Sequence, residues 1–172
     1  MKFVSSGDLK FHKDTRGTFV RTFDQNLEVF RHFTVAQVNI SHNPTESTLR
    51  GLHFQVSGPP EEKLVHLISG SVFMVTVDLR ENSPKYLLIN TIEMIESEKR
   101  YVHIPSGYAT GWISTSPNTS LQYLMSARFE ECEYSGIRYD DQGLGINWSR
   151  SPVIISDQDL TWPTFIPRRI RP

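Results

Sequence analysis

One short stretch of this chain sets a guanidinium, an imidazole and an ammonium along two extended runs: Leu49-Arg50-Gly51-Leu52-His53-Phe54-Gln55 and, past Gly58-Pro59-Pro60, Lys63-Leu64-Val65. Successive side chains of a strand alternate faces. Gly51, His53 and Gln55 are therefore expected on one face, Leu52 and Phe54 on the other, and Lys63 on the same face as Val65. A neutral imidazole with an ordinary pKa of about 6.5 takes up a proton near neutral pH. An ammonium close to it can stabilise a developing oxyanion. Together they are equipment for removing a proton from carbon beside a carbonyl and holding the enolate that forms.

Such groups need strands to aim them. Runs rich in β-branched and aromatic residues are expected as strands over 34–40, 48–55, 63–68, 71–79, 86–92, 99–104, 108–114 and 120–128. Turn signals separate them: Asn43-Pro44, Ser69-Gly70, Asn82-Ser83-Pro84, Pro105-Ser106-Gly107 and Ser116-Pro117-Asn118. This spacing predicts an all-β sandwich or barrel. The best helix is expected over 26–33, behind a possible Asn26 cap. The basic, proline-bound tail 167–172 reads as a surface strap or frayed end.

The 172 residues suit a single domain spanning the chain, 1–172. Eighteen basic and 19 acidic residues leave a net charge of -1, so no polyelectrolyte attraction to nucleic acid or anionic lipid is expected. An anionic ligand would be held by a few placed cations instead. Cys132 is the single cysteine, and the first residues lack the apolar run of a secretion signal, so a cytoplasmic setting is expected. The longest apolar stretch, 72–77, is far too short to span a bilayer.

The chain resembles the dTDP-4-dehydrorhamnose 3,5-epimerase family through Asp14-Thr15-Arg16-Gly17-Thr18-Phe19, Gln37-Val38-Asn39, the Leu49–Gln55 and Lys63–Val65 runs, Gly70-Ser71-Val72-Phe73, Val77-Asp78-Leu79-Arg80, Ile104-Pro105-Ser106-Gly107-Tyr108-Ala109, Gly136-Ile137-Arg138-Tyr139-Asp140-Asp141 and Ile155-Ser156-Asp157-Gln158-Asp159. The resemblance covers nearly the whole chain. It implies a cupin-type jelly-roll β-barrel with a few short helices. It also implies a cofactor-independent epimerase that inverts C3, C5 or both of a nucleotide-linked 4-keto-6-deoxy sugar, in deoxysugar supply.

On this resemblance His53 is the base, Asp159 the carboxylate that orients and charges against it, and Tyr123 the acid on the opposite carbon face. Alternation places Tyr123 with Leu121 and Met125. Lys63 would stabilise the enolate. Arg50 and Arg16 are candidates for the diphosphate because guanidinium forks match phosphate oxygens. Gln37 and Asn39 are carried over as substrate-binding, and Phe19 could stack on the base. The segment 14–21 is implied to enter a neighbouring subunit's site, hence a homodimer.

Two positions depart from the family pattern. Where the family reads Gly-Phe-Ala-His-Gly-Phe, this chain has Gly107-Tyr108-Ala109-Thr110-Gly111-Trp112, so a titrating imidazole is replaced by Thr110 and a one-centre epimerase becomes a reading beside the two-centre one. Arg21 stands where thymidine-specific members carry a glutamate, and a guanidinium has no acceptor for the thymine imide N–H. That opens CDP and GDP beside dTDP. Two rivals stand next to the enzyme: a non-catalytic sugar-nucleotide-binding barrel and a metal-dependent cupin. The second lacks its His-x-His, since the motif strand reads His53-Phe54-Gln55 and His12, His32, His42, His66 and His103 lie without ligand spacing. No metal or cofactor is expected.

Overall fold

The continuous apolar run Val72-Phe73-Met74-Val75 is buried along its whole length, which requires cover on both faces of its sheet. The computed structural model describes residues 1–166, and the 167–172 tail lies outside the described residues. Its strands are β1 (Ser5–Asp8), β2 (Lys10–Asp14), β3 (Gly17–Arg21), β4 (Gln37–Asn43), β5 (Leu49–Ser57), β6 (Lys63–Ser69), β7 (Ser71–Asp78), β8 (Ile89–Ile95), β9 (Arg100–Ile104), β10 (Tyr108–Ser114), β11 (Thr119–Met125) and β12 (Glu133–Gly136), followed by one helix, α1 (Asp157–Thr161). Two five-stranded sheets run in the orders β1-β9-β6-β11-β4 and β12-β5-β10-β7-β8, and β2-β3 forms a separate hairpin. Neighbouring strands are antiparallel throughout both sheets. This is the expected all-β jelly-roll class.

Three apolar layers hold it. Between the sheets, Val65, Leu67 and Leu121 meet Val72, Met74 and Trp112. Outside the second sheet, Leu52, Phe73, Val75 and Ile113 are covered by the C-terminal segment through Trp148, Ile155 and Phe165. Outside the first, Leu64, Tyr101 and Leu124 lie under Leu9, Phe30 and Phe33. Each fully buried side chain of this size is worth about 1.5–3 kcal/mol relative to exposure.

Several expectations shift. The helix over 26–33 is only a 3-10 turn, Glu28–Phe30, without a side-chain cap. Asn26 is occupied elsewhere, donating its backbone and side-chain N–H groups to Asp24, while Phe30 and Phe33 turn into the outer layer. The strand over 86–92 begins instead at Ile89, because Tyr86 and Leu88 close turns onto Ser83 and Lys85 and Leu87 has φ 63°. The strand over 34–40 lies three residues later, at Gln37–Asn43. Strands β1, β2, β3 and β12 and helix α1 were not among the expected elements.

Candidate active site

A cavity of about 430 Å³ opens between the two sheets. Each strand around it contributes its inward positions: Asn39 and Ser41 from β4, Arg50 and His53 from β5, Lys63 and Val65 from β6, Thr110 and Trp112 from β10, Tyr123 and Met125 from β11. The pairings of Lys63 with Val65 and of Tyr123 with Met125 follow the alternation expected from sequence.

Strand β5 departs from alternation. Thr110 pairs with His53 and Trp112 with Arg50, so two steps on β10 face three on β5. This β-bulge brings Arg50 and His53, an odd number of residues apart, to the same cavity. Leu52 is sent wholly into the outer core. Gly51 is required here: its φ is +102°, and a Cβ would stand 2.6 Å from the Thr110 carbonyl oxygen.

The histidine is built from behind. Its Nε2 lies 2.6 Å from Asp159 Oδ1. Asp159, buried in α1, also accepts from the Gly51 backbone N–H at 3.1 Å and from the Trp162 indole at 3.1 Å, while its own N–H donates to the Ser156 cap. Burial alone would raise this carboxyl, but the hydrogen bonds from His53, Gly51 and Trp162 hold it below the usual carboxylate range. A carboxylate facing Nε2 fixes the proton on that nitrogen and leaves Nδ1 with the lone pair. The imidazole side chain is 43% exposed, open enough to meet a ligand.

Lys63 Nζ is 3.3 Å from Glu61 Oε1 and 3.5 Å from Thr110 Oγ1. Tyr123 is half-buried. Burial pushes its phenol well above its ordinary pKa, partly offset by the Trp112 indole donating to it and by the charge of Arg50. Arg50 donates Nε to Asn43 Oδ1 at 2.9 Å, which leaves its terminal amino groups for a ligand.

The remaining expected residues lie elsewhere in this single chain. Gln37 stands behind the cavity, donating to Asn39 Oδ1 and accepting from the Phe129 N–H, both at 2.9 Å. Arg16 and Phe19 sit on the β2-β3 hairpin around a separate hollow, with Arg16 paired to Asp14. Arg21 pairs with Asp24 at 3.1 Å. Sequence reasoning missed Ser41, whose buried hydroxyl has no partner among the described residues, and Phe129, an exposed ring at the cavity stacked on Tyr134. It also missed Glu61. Alternation along β4 from Asn39 would have reached Ser41, whereas Phe129 and Glu61 lie outside strands. Among the described residues no cluster of three His, Cys, Asp or Glu could hold a metal ion.

An all-β jelly roll whose interior cavity collects a carboxylate-backed histidine, a phenol and an ammonium has the form of a cupin-type isomerase working by proton transfer. The family model described as dTDP-4-dehydrorhamnose 3,5-epimerase matches residues 4–166. A relative of that name from Methanothermobacter thermautotrophicus is 34% identical over 157 residues, 88% of this chain and 83% of its own. Among solved structures, the dTDP-4-dehydrorhamnose 3,5-epimerase of Bacillus anthracis, with TDP and PPi bound, superposes with a TM-score of 0.86 at 27% identity over 94% of each chain. A 3'-monoepimerase from Streptomyces bikiniensis in complex with dTDP-quinovose gives 0.83 at 27% identity, over 94% of this chain and 83% of that one. The chain belongs to the dTDP-4-dehydrorhamnose 3,5-epimerase family.

Proposed function

We propose that this protein epimerises a nucleoside-diphosphate 4-keto-6-deoxyhexose in deoxysugar biosynthesis. His53 Nδ1 takes the proton from carbon beside the ketone, and the electron pair moves onto the ketone oxygen. Asp159 stabilises the imidazolium that forms. The ammonium of Lys63 stabilises the enolate oxygen, a role worth about 3 kcal/mol at oxyanion sites. Tyr123 returns a proton to the opposite face, and exchange with solvent resets phenolate and imidazolium. Every proton and charge in this sequence has a side chain to carry it.

Arg50 takes the diphosphate, and the exposed ring of Phe129 offers a flat apolar face for the base. The dTDP ligands of the relatives make dTDP the first base to try, against CDP and GDP, for which the guanidinium of Arg21 argues. Thr110, facing Lys63 inside the cavity, favours inversion at one centre. The reading also includes a single domain in the cytoplasm and a homodimer in which Arg16, Phe19 and Arg21 serve the neighbouring copy's cavity. The exposed rings of Phe11 and Phe19 support that dimer.

One observation carries the reading: the 2.6 Å contact of His53 with Asp159 in the cavity that also holds Lys63 and Tyr123. In heavy water with a dTDP-4-keto-6-deoxyhexose, the sugar protons followed by NMR should exchange at C3, C5 or both. His53→Ala should slow that exchange by on the order of 10²–10⁴-fold. Binding without exchange in the parent protein would replace the enzyme with a sugar-nucleotide-binding module.

A further inference from the structure

Two residues before Lys63, in the turn between β5 and β6, Glu61 carries a carboxylate whose side chain is only 1% exposed. Its neighbour Glu62 faces the other way, onto Lys2 and His103. Burying a carboxylate costs several kcal/mol unless partners replace its water. Glu61 has two such partners. Oε1 lies 3.3 Å from Lys63 Nζ, and Oε2 accepts a hydrogen bond from the Tyr134 hydroxyl. Burial pushes the Tyr134 phenol up and the Glu61 carboxylate pushes it further, so Tyr134 keeps its proton and remains a donor. The Glu61 backbone N–H donates at 3.0 Å to Gln55 Oε1, which fixes the turn to β5.

The rest of the lysine's surroundings cannot aim it. Val65, Met74, Ile104 and Met125 line that part of the cavity with apolar surface, and the Thr110 hydroxyl stands at the outer limit of a hydrogen bond. Among the described residues Glu61 is the one carboxylate in ion-pair contact with Lys63. A buried ion pair adds little to stability over apolar packing, whereas a lysine that must meet one oxygen needs a fixed point to lean on.

We infer that Glu61 is the positioning residue for Lys63: clamped from behind by Tyr134 and Gln55, its carboxylate holds the ammonium where the enolate oxygen forms. Glu61 itself, buried behind the lysine, does not touch the substrate. The inference rests on the role given to Lys63 above and extends the site by a layer, Gln55-Glu61-Tyr134, that reaches the substrate only through the amine.

The test compares Glu61→Ala, Glu61→Gln and Tyr134→Phe with the parent in the heavy-water assay, alongside dTDP affinity by calorimetry and melting curves. In Glu61→Ala, kcat for exchange should fall about tenfold or more, with KM and dTDP affinity within about twofold, because the diphosphate is held by Arg50. Glu61→Gln retains an oxygen for the lysine and should recover part of the rate. Tyr134→Phe should lose less than Glu61→Ala. If Glu61→Ala does not fold, the near-isosteric Glu61→Gln carries the test through its kcat alone. Parental kcat in the folded Glu61 variants, whatever their melting points, would reduce Glu61 to a packing role and overturn the inference while leaving the epimerase intact. Absence of exchange in the parent protein would remove the functional reading, and this inference with it.

Discussion

A phenol acts as an acid only while it keeps its proton, and Tyr123 is held in that form by burial. Because its pKa is raised, the protonated state persists as pH rises through the ordinary tyrosine value of about 10. A pH profile of kcat should therefore show no loss from Tyr123 between pH 8 and about 10. Tyr123→Phe removes the acid but leaves His53 free to take a proton and return it on the same face. The variant should keep deuterium exchange and lose inversion by on the order of 10²-fold or more, read by NMR of the product sugar. Inversion at the parental rate would move the acid to another group. Legibility at this scale depended on residue type and spacing. His53, Lys63 and Tyr123 stand as polar residues in apolar β-patterned runs and can be found from alternation. Asp159 joins His53 from 106 positions away, and only the resemblance pointed to it. Glu61 reads in sequence as half of an acidic pair in a proline-rich turn, which hides its burial.

Strand β6 carries a single histidine at its centre. His66, opposite Tyr101 on β9 and Gln122 on β11, is fully buried, and neither ring nitrogen has a partner among the described residues. Burial lowers its pKa from 6.5 to about 4. Unfolded chains protonate this side chain near 6.5 while the folded protein refuses the proton until about 4, so stability is intact above 6.5 and falls as pH drops across that window. The loss reaches about 3 kcal/mol. Carboxylates held low, such as Asp159 and Asp78, release their share only at lower pH. Urea unfolding at pH 7 and pH 4.5 should thus show a smaller drop for His66→Leu than for the parent, and equal drops would mean that the ring finds a partner. The strands around it were readable because 63–68, 71–79 and 108–114 are apolar runs between turn residues, and β6, β7 and β10 keep nearly those bounds. The bulge in β5 was not readable, since it depends on the pairing partner β10. The short elements β1, β2, β3 and β12 lack a continuous apolar run, and α1 is a single turn defined by its Ser156 cap.

At the scale of the whole molecule, both sheets carry apolar cover over much of each face, whereas the β2-β3 hairpin does not. Among the described residues it pairs only with itself, every residue of β2 is exposed, and Phe11 and Phe19 present 49% and 67% of their surface. An isolated two-stranded hairpin is marginal in water. The outward side chains of edge strand β4 add Val38 and Ile40, at 52% and 65% exposure. A second copy that accepts this hairpin would cover the rings and bring Arg16 to a cavity whose own chain supplies Arg50 as its guanidinium. Such an arrangement makes each site a composite of two chains. His53→Ala and Arg16→Ala should then each be impaired alone, the first in kcat and the second chiefly in KM. When the two are unfolded together and refolded, statistical pairing places both defects at one site of a mixed dimer and none at the other, restoring about a quarter of parental sites. Sedimentation should show a dimer throughout. A monomer, or a mixture no more active than the sum of its parts, would confine the hairpin to its own chain and return Arg16 to the surface.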